Sequence, residues 1–398
     1  MKVTVVGSYN GTSIGDTAIL LGLLSAISAA YPSAIVTVLT MGPLNLSRDL
    51  ALTGLVHAPR LVRANIHSPA EWPILRALWW RLQRFGLPLG TQFNLARARK
   101  ALAGQDLLII GGGNLLMDLF ATGVDLVENI TFAAMESAVP YSFAGVGAGP
   151  VSHASSAARL TACLAPARRV VVRDAPSRAL CMEMLGRADT RCAPDLAFAL
   201  PAYESRATRE VLAVNVAAVG AHTWPVRDAP GYQRYLNGMA RLVLEAATQT
   251  RPARIEIITT NPAVDVGAAQ DLAARLTEMA AVPVLMPVLH DVTGILDAFG
   301  RAKLAITTRL HAGIMAAIAG APVLPVAYQP KVASVLNEAG VAPQAIALKA
   351  LQSQDFDTGH MLALTGEYGV RPRAQVRAQA LAAVRDLLPT SDRDVAQA

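Results

Sequence analysis

The stretch "TTRLHAGIMAAIAGAPVLPVAYQPK" runs from Thr307 to Lys331. An apolar run, Leu304–Thr307, leads into it; Ala312–Ile318 has the composition of a helix, and Val323–Val326 is a second apolar run. Continuous apolar runs of this length suit parallel strands covered on both faces. The stretch therefore reads as a strand–helix–strand unit, and it places Arg309, His311 and Lys331 at the ends of its strands. Residues two apart on an extended segment point the same way. Lys331 follows the neighbouring strand, so the three cations share one rim. The helix N-terminus adds positive potential. Arginine supplies a bidentate fork for phosphate or carboxylate and lysine a mobile point charge. Histidine donates a hydrogen bond or a proton near neutral pH. A packed histidine with two surface cations is the bland alternative. Three cations at adjacent strand ends in an apolar context favour a site for a small dianion.

The same alternation extends outward. Strands are expected at Val3–Val6, Ile35–Leu39, Leu107–Ile110, Tyr141–Gly145 and Val170–Arg173. A second series falls at Leu212–Val216, Ile255–Thr259, Val284–Pro287, Leu304–Thr307 and Val323–Val326. Helical stretches such as Thr17–Ala30, Gln270–Met279 and Ala312–Ile318 lie between them. The class is α/β, with two Rossmann-like doubly wound domains facing a cleft. The polar stretch Pro201–Arg209 separates them. Residues 1–200 form the N-terminal, acceptor-side domain, 210–370 the C-terminal, dianion-side domain, and 371–398 a final helix and tail. Apolar residues make up 53% of the 398 positions and charged residues 16%, enough for large cores.

The composition narrows the function classes. The net charge of +6 is scattered rather than striped, which argues against nucleic acid and suits an anionic substrate. Cys163, Cys181 and Cys192 have no zinc spacing and read as reduced thiols of a cytoplasmic enzyme. No metal-ligand cluster is expected, and "MKVTVVGSYNG" opens as a strand rather than a signal peptide.

Other strand ends carry further candidates. In "GSYNGTSIGDTAILLGLL" (Gly7–Leu24), Ser13 and Asp16 have the spacing of a helix cap and its N3 acid. Asp16 either completes that cap or orients and deprotonates a hydroxyl; as a carboxylate it argues against a phosphate loop. "LLIIGGGNLLMD" (Leu107–Asp118) sets Gly112, Gly113 and Asn114 at a strand end, where bare backbone amides allow close approach of a ligand, with Asp118 nearby. "FAGVGAGP" repeats the pattern at Phe143–Pro150. In "VVVRDAPS", Arg173 and Asp174 read as an ion pair with a helix cap or as cleft residues, and Asp291 in "PVLHDVTGIL" as an N-cap.

Taken in order, "SIGDTAIL", "GGGNLLMD", "VGAGP", "VVVRD" with "APDLAF", and the Thr307–Lys331 stretch resemble the polysaccharide pyruvyl transferase family over about residues 3–335. The resemblance implies a fold like the two-domain GT-B glycosyltransferases. It implies transfer of pyruvyl from phosphoenolpyruvate onto two sugar hydroxyls, giving a cyclic ketal and free phosphate. The family's donor-binding R-x-H and downstream lysine match Arg309, His311 and Lys331, and Arg173 joins them as a donor-site candidate. His311 and Asp16 are the expected catalytic pair; Ser13, Gly112, Gly113, Asn114 and Asp118 line the acceptor side. Many members have asparagine where this chain has Ser13, which bears on polar contacts and acceptor choice. Phosphoenolpyruvate is the donor substrate and no further cofactor is expected. A nucleotide-sugar GT-B glycosyltransferase and a non-catalytic sugar-phosphate scaffold are the alternatives.

In "PAEWPILRALWWRLQRFG" (Pro69–Gly86), Leu75, Leu78, Trp79 and Leu82 share a helical stripe. Two readings fit: a core-facing helix with solvated arginines, or a shallow contact at the inner face of the cell membrane that brings the enzyme to a polyprenyl-linked acceptor.

Overall fold

A computed structural model describes residues 1–64, 92–119, 121–224, 226–342, 344–363, 372 and 374–389. Pro69–Gly86 lies outside the described residues. The chain divides into two compact units. Met1–Gly11, Ile19–Ala199 and the chain from Gln379 onward form the first; Thr12–Ala18 and Leu200–Ala378 form the second.

The first unit holds β1 (Lys2–Val6), β2 (Ile35–Thr40), β3 (Arg60–Arg63), β4 (Leu107–Gly111), β5 (Asn114–Leu116), β6 (Tyr141–Ala148), β7 (Val170–Val172) and β8 (Arg191–Cys192). They make a parallel sheet in the order β3-β2-β1-β4-β6-β7-β8, with β5 added on β6. The second unit holds β9 (Val211–Asn215), β10 (Arg254–Ile257), β11 (Val284–Leu285), β12 (Ala302–Thr307), β13 (Val323–Ala327) and β14 (Ile346–Ala347), parallel in the order β11-β10-β9-β12-β13-β14. The expected strands all form. β3, β5, β8 and β14 are additional, being short or polar pieces that carry no apolar run to announce them.

Central strands are apolar throughout because helices cover both faces. Leu107, Leu108, Ile109 and Ile110 of β4 are all fully buried, as are Val211–Val214 of β9. Each such leucine or isoleucine contributes about 1.5–3 kcal/mol by leaving water. In the first unit Val6, Ile110 and Phe143 pack with the helix face carrying Val127 and Ile130. In the second, Leu212, Val214 and Ile306 pack with Tyr235 and Met239.

This packing leaves the C-terminal strand ends to build sites. In each sheet the strand order reverses beside the first strand, between β1 and β4 and between β9 and β12. Helices on the two sides diverge there, which opens a crevice beyond the strand ends. Thr307 of β12 is in register with Asn215 of β9, so these two strands finish level.

Candidate active site

Construction of the site begins at those level ends. Asn215 is a polar residue at the close of an apolar strand, and it is fully buried. Its Nδ2 donates to the Ile258 carbonyl (2.9 Å), and its Oδ1 accepts from the Arg309 amide (2.9 Å). The Thr308 amide donates to the Asn215 carbonyl (3.0 Å), and the Tyr235 and Thr308 hydroxyls are 2.8 Å apart. Residues 307–309 are thus tied to β9 before the helix Leu310–Ile318 starts, with Arg309 as its N-cap residue.

Arg309 is held by more than its backbone. Its Nε and Nη2 donate to the two oxygens of Asp265 at 2.8 and 2.7 Å. Asp265 comes from the first turn of the helix Pro262–Met279 and is fully buried. The guanidinium carbon also sits 5.1 Å from the centre of the Trp224 ring, and Trp224 meets Tyr328 edge-on at 5.5 Å. Burial works against the guanidinium charge, but Asp265 and the Tyr328 hydroxyl outweigh it and raise the pKa. The Nε–Nη2 edge of the fork is therefore occupied by Asp265. Asp265 was not anticipated; an acid in the first turn of a helix reads simply as a complement to the helix dipole.

His311 lies in the first turn of Leu310–Ile318 and is partly buried. The turn before the helix Ile14–Ala30 packs against it. The Ile14 amide donates to the Thr260 carbonyl at 2.8 Å. Gly15 is so close to His311 that a Cβ there would lie 2.9 Å from the ring Nδ1. Ser13 caps the helix, its Oγ accepting from the Asp16 amide at 3.2 Å. Gly15, between Ser13 and Asp16 in the chain, is thus the residue that meets His311. Lys331 is partly buried and opens the helix Pro330–Glu338 after β13, the strand paired with β12. Parallel neighbours lie roughly 4.8 Å apart, so Lys331 belongs to the same rim.

In the first unit the candidates are engaged internally. Arg173 was expected at the donor, but its side chain is only 3% exposed. Its Nη1 donates to Asp195 (3.0 Å) and its Nη2 to Asn114 (2.6 Å). Asp174 caps the helix Ala175–Glu183 through the Ser177 amide, and Asp291 caps Val292–Gly300 through Gly294, the roles their spacing suggested. Gly112 and Gly113 have φ of 73° and 71°, which glycine adopts without strain. The expectation of bare amides is corrected at Gly112, which donates to the Ala144 carbonyl. Asp118 accepts from the Ser152 and His153 amides and from His153 Nδ1 (2.9 Å). Burial pushes its carboxyl up, but these donors prevail and bring its pKa down to about 2.

Known structures share this architecture at low identity. The UDP-GlcNAc 2-epimerase of Methanocaldococcus jannaschii is 9% identical, with 97% of this chain and 99% of that one covered at a TM-score of 0.58. The UDP-GlcNAc 2-epimerase of Neisseria meningitidis, solved bound to UDP-GlcNAc, is 12% identical, with 97% and 99% covered at 0.53. These likenesses establish a GT-B-like fold of two Rossmann-like units. The search of curated proteins found no match. Among the described residues no helix is long and apolar enough to cross a membrane. The polysaccharide pyruvyl transferase family matches residues 14–330, a stretch that begins in the Ser13–Asp16 turn, contains Arg309 and His311 and stops one residue short of Lys331, and the chain belongs to that family.

Proposed function

We propose that the protein moves the pyruvyl group of phosphoenolpyruvate onto two hydroxyls of a sugar in a polysaccharide or its precursor. The observation that carries this reading is the packing of the Ser13–Asp16 turn against His311, within the stretch matched to the family. In this reading His311 is the group that gives a proton and Asp16 the carboxylate that takes one. Lys331 and Arg309 are the cations assigned to the donor's phosphate and carboxylate.

His311 protonates the methylene carbon, which becomes a methyl group and leaves an oxocarbenium-like centre at C2. One sugar hydroxyl adds to C2 and gives its proton to Asp16. The bond from C2 to the bridging oxygen breaks and phosphate leaves with the electron pair. A second hydroxyl adds, closes the ketal ring and releases its own proton. Two C–O bonds form and one breaks; one hydroxyl proton replaces the proton given to carbon, and the other leaves with phosphate or water. An acid and a base so placed each contribute typically about 10²–10⁴-fold. The donor carries its own leaving group, so no further cofactor is called for.

The test is incubation with phosphoenolpyruvate and a panel of polyprenyl-linked and nucleotide-linked sugars. Phosphate release with a matching mass gain on one acceptor is the expected result. Neither signal with any acceptor, together with thermal stabilisation by UDP or GDP but not phosphoenolpyruvate, would replace this reading with glycosyl transfer.

A further inference from the structure

Asp265 takes no part in the chemistry above, yet a fully buried carboxylate has been placed against a donor-site arginine. We propose that Asp265 is a positioning residue: it holds the Arg309 guanidinium in one orientation, so that only part of its charge is offered to the anionic donor. The identity of that donor rests on the pyruvyl-transfer reading; the positioning does not.

The geometry fixes both partners. Two hydrogen bonds, 2.8 and 2.7 Å long, set the guanidinium plane. The carboxylate is itself anchored, because its Oδ1 also accepts from the Ala218 amide at 3.0 Å. At the other end of the side chain, the Arg309 amide is tied to Asn215. Trp224 closes one face of the guanidinium. Little rotational freedom is left to a long side chain that would otherwise sample many rotamers.

The pairing also sets how strongly the site pulls on anions. An arginine with a carboxylate at its edge presents a dipole to a third group rather than a full unit charge. Phosphate is a product of the proposed reaction and shares the donor's charge. Undivided positive charge would bind donor and product alike, which favours occupancy without favouring turnover. Asp265 exchanges part of that grip for orientation.

The experiment is Asp265→Asn, which preserves shape and removes the charge. We expect inorganic phosphate, titrated by calorimetry, to bind about tenfold more tightly, and kcat to fall about tenfold or more with no rise in donor KM. A merely structural role would lower the melting temperature and leave phosphate affinity, kcat and KM unchanged; folded protein with phosphate affinity and kcat within about twofold of wild type overturns the proposal. Should the single variant not fold, Asp265→Glu keeps the charge and displaces the carboxylate by one methylene. Folded protein with kcat about tenfold or more below wild type and an unchanged donor KM supports positioning, and kcat and phosphate affinity within about twofold of wild type refute it. If wild type releases no phosphate from phosphoenolpyruvate while Asp265→Asn still tightens phosphate binding, the pyruvyl reading fails and the positioning role stands.

Discussion

Arg173 and Arg309 both follow the end of a parallel strand, and each pairs with a fully buried aspartate, Asp195 or Asp265. They differ in what surrounds the pair. Arg173 is 3% exposed and spends both Nη atoms on Asp195 and Asn114; a Cβ on Gly147 would lie 3.1 Å from its Nε. Arg309 is 19% exposed and gives its carboxylate only the Nε–Nη2 edge. The first arginine is enclosed by its own unit, whereas the second stays partly exposed beside Trp224 and Tyr328. The two forks are divided differently, and the proposed donor role falls to the more exposed one.

If that contrast holds, substitutions at the rim of the second unit cost activity and substitutions in the first unit cost stability. The largest effect is expected from His311→Ala, which should lower turnover at saturating donor by about 10²–10⁴-fold while the melting temperature stays near wild type. Unchanged phosphate release would remove the acid role. Arg173→Met removes the cation beside the fully buried Asp195 and should cost about 3–5 kcal/mol in denaturant unfolding. Its folded fraction should keep the wild-type donor KM, and a raised KM at full stability would assign Arg173 to the donor. Lys331→Ala removes a charge-assisted contact and should weaken donor binding by about 1.5–3 kcal/mol, read by calorimetry. Asp118→Asn is the mildest, at about 1 kcal/mol or less, since asparagine also accepts from helix-start amides. Because the Asp118 pKa falls from 3.8 to about 2 on folding, the charge-dependent part of its contribution is full above about pH 4 and is lost as pH drops toward 2. Unfolding curves of the two proteins should converge over that window, and a constant gap would show that the charge is irrelevant.

Much of this was legible before the structure. Strands buried on both faces must be apolar along their length, so their runs stand out, and the cations of the Thr307–Lys331 stretch are conspicuous against them. Edge strands escape that logic. Arg60–Arg63 is bounded by two arginines and largely exposed, and it resembles a loop. Partnerships between distant residues were also hidden. Asp265 and Arg309 are 44 positions apart, and Asn114 and Arg173 are 59 apart. No local pattern tells a helix-start acid facing solvent from one facing an arginine. The grouping of Thr12–Ala18 with the second unit was equally silent, since a capping box reads the same wherever its helix docks.

That grouping bears on synthesis. The Ser13–Asp16 turn is made well before its contacts: the Thr260 carbonyl that receives Ile14 and the His311 ring that Gly15 abuts are made about 250 and 300 residues later. At roughly 5–20 residues per second the wait is on the order of 12–60 s. β1 and the later turns of the same helix can join the first unit meanwhile. The Ile14 and Gly15 contacts of this turn cannot form until the second sheet is nearly complete. Chains terminated before Thr260 therefore lack both contacts that hold this turn against the second unit's loops.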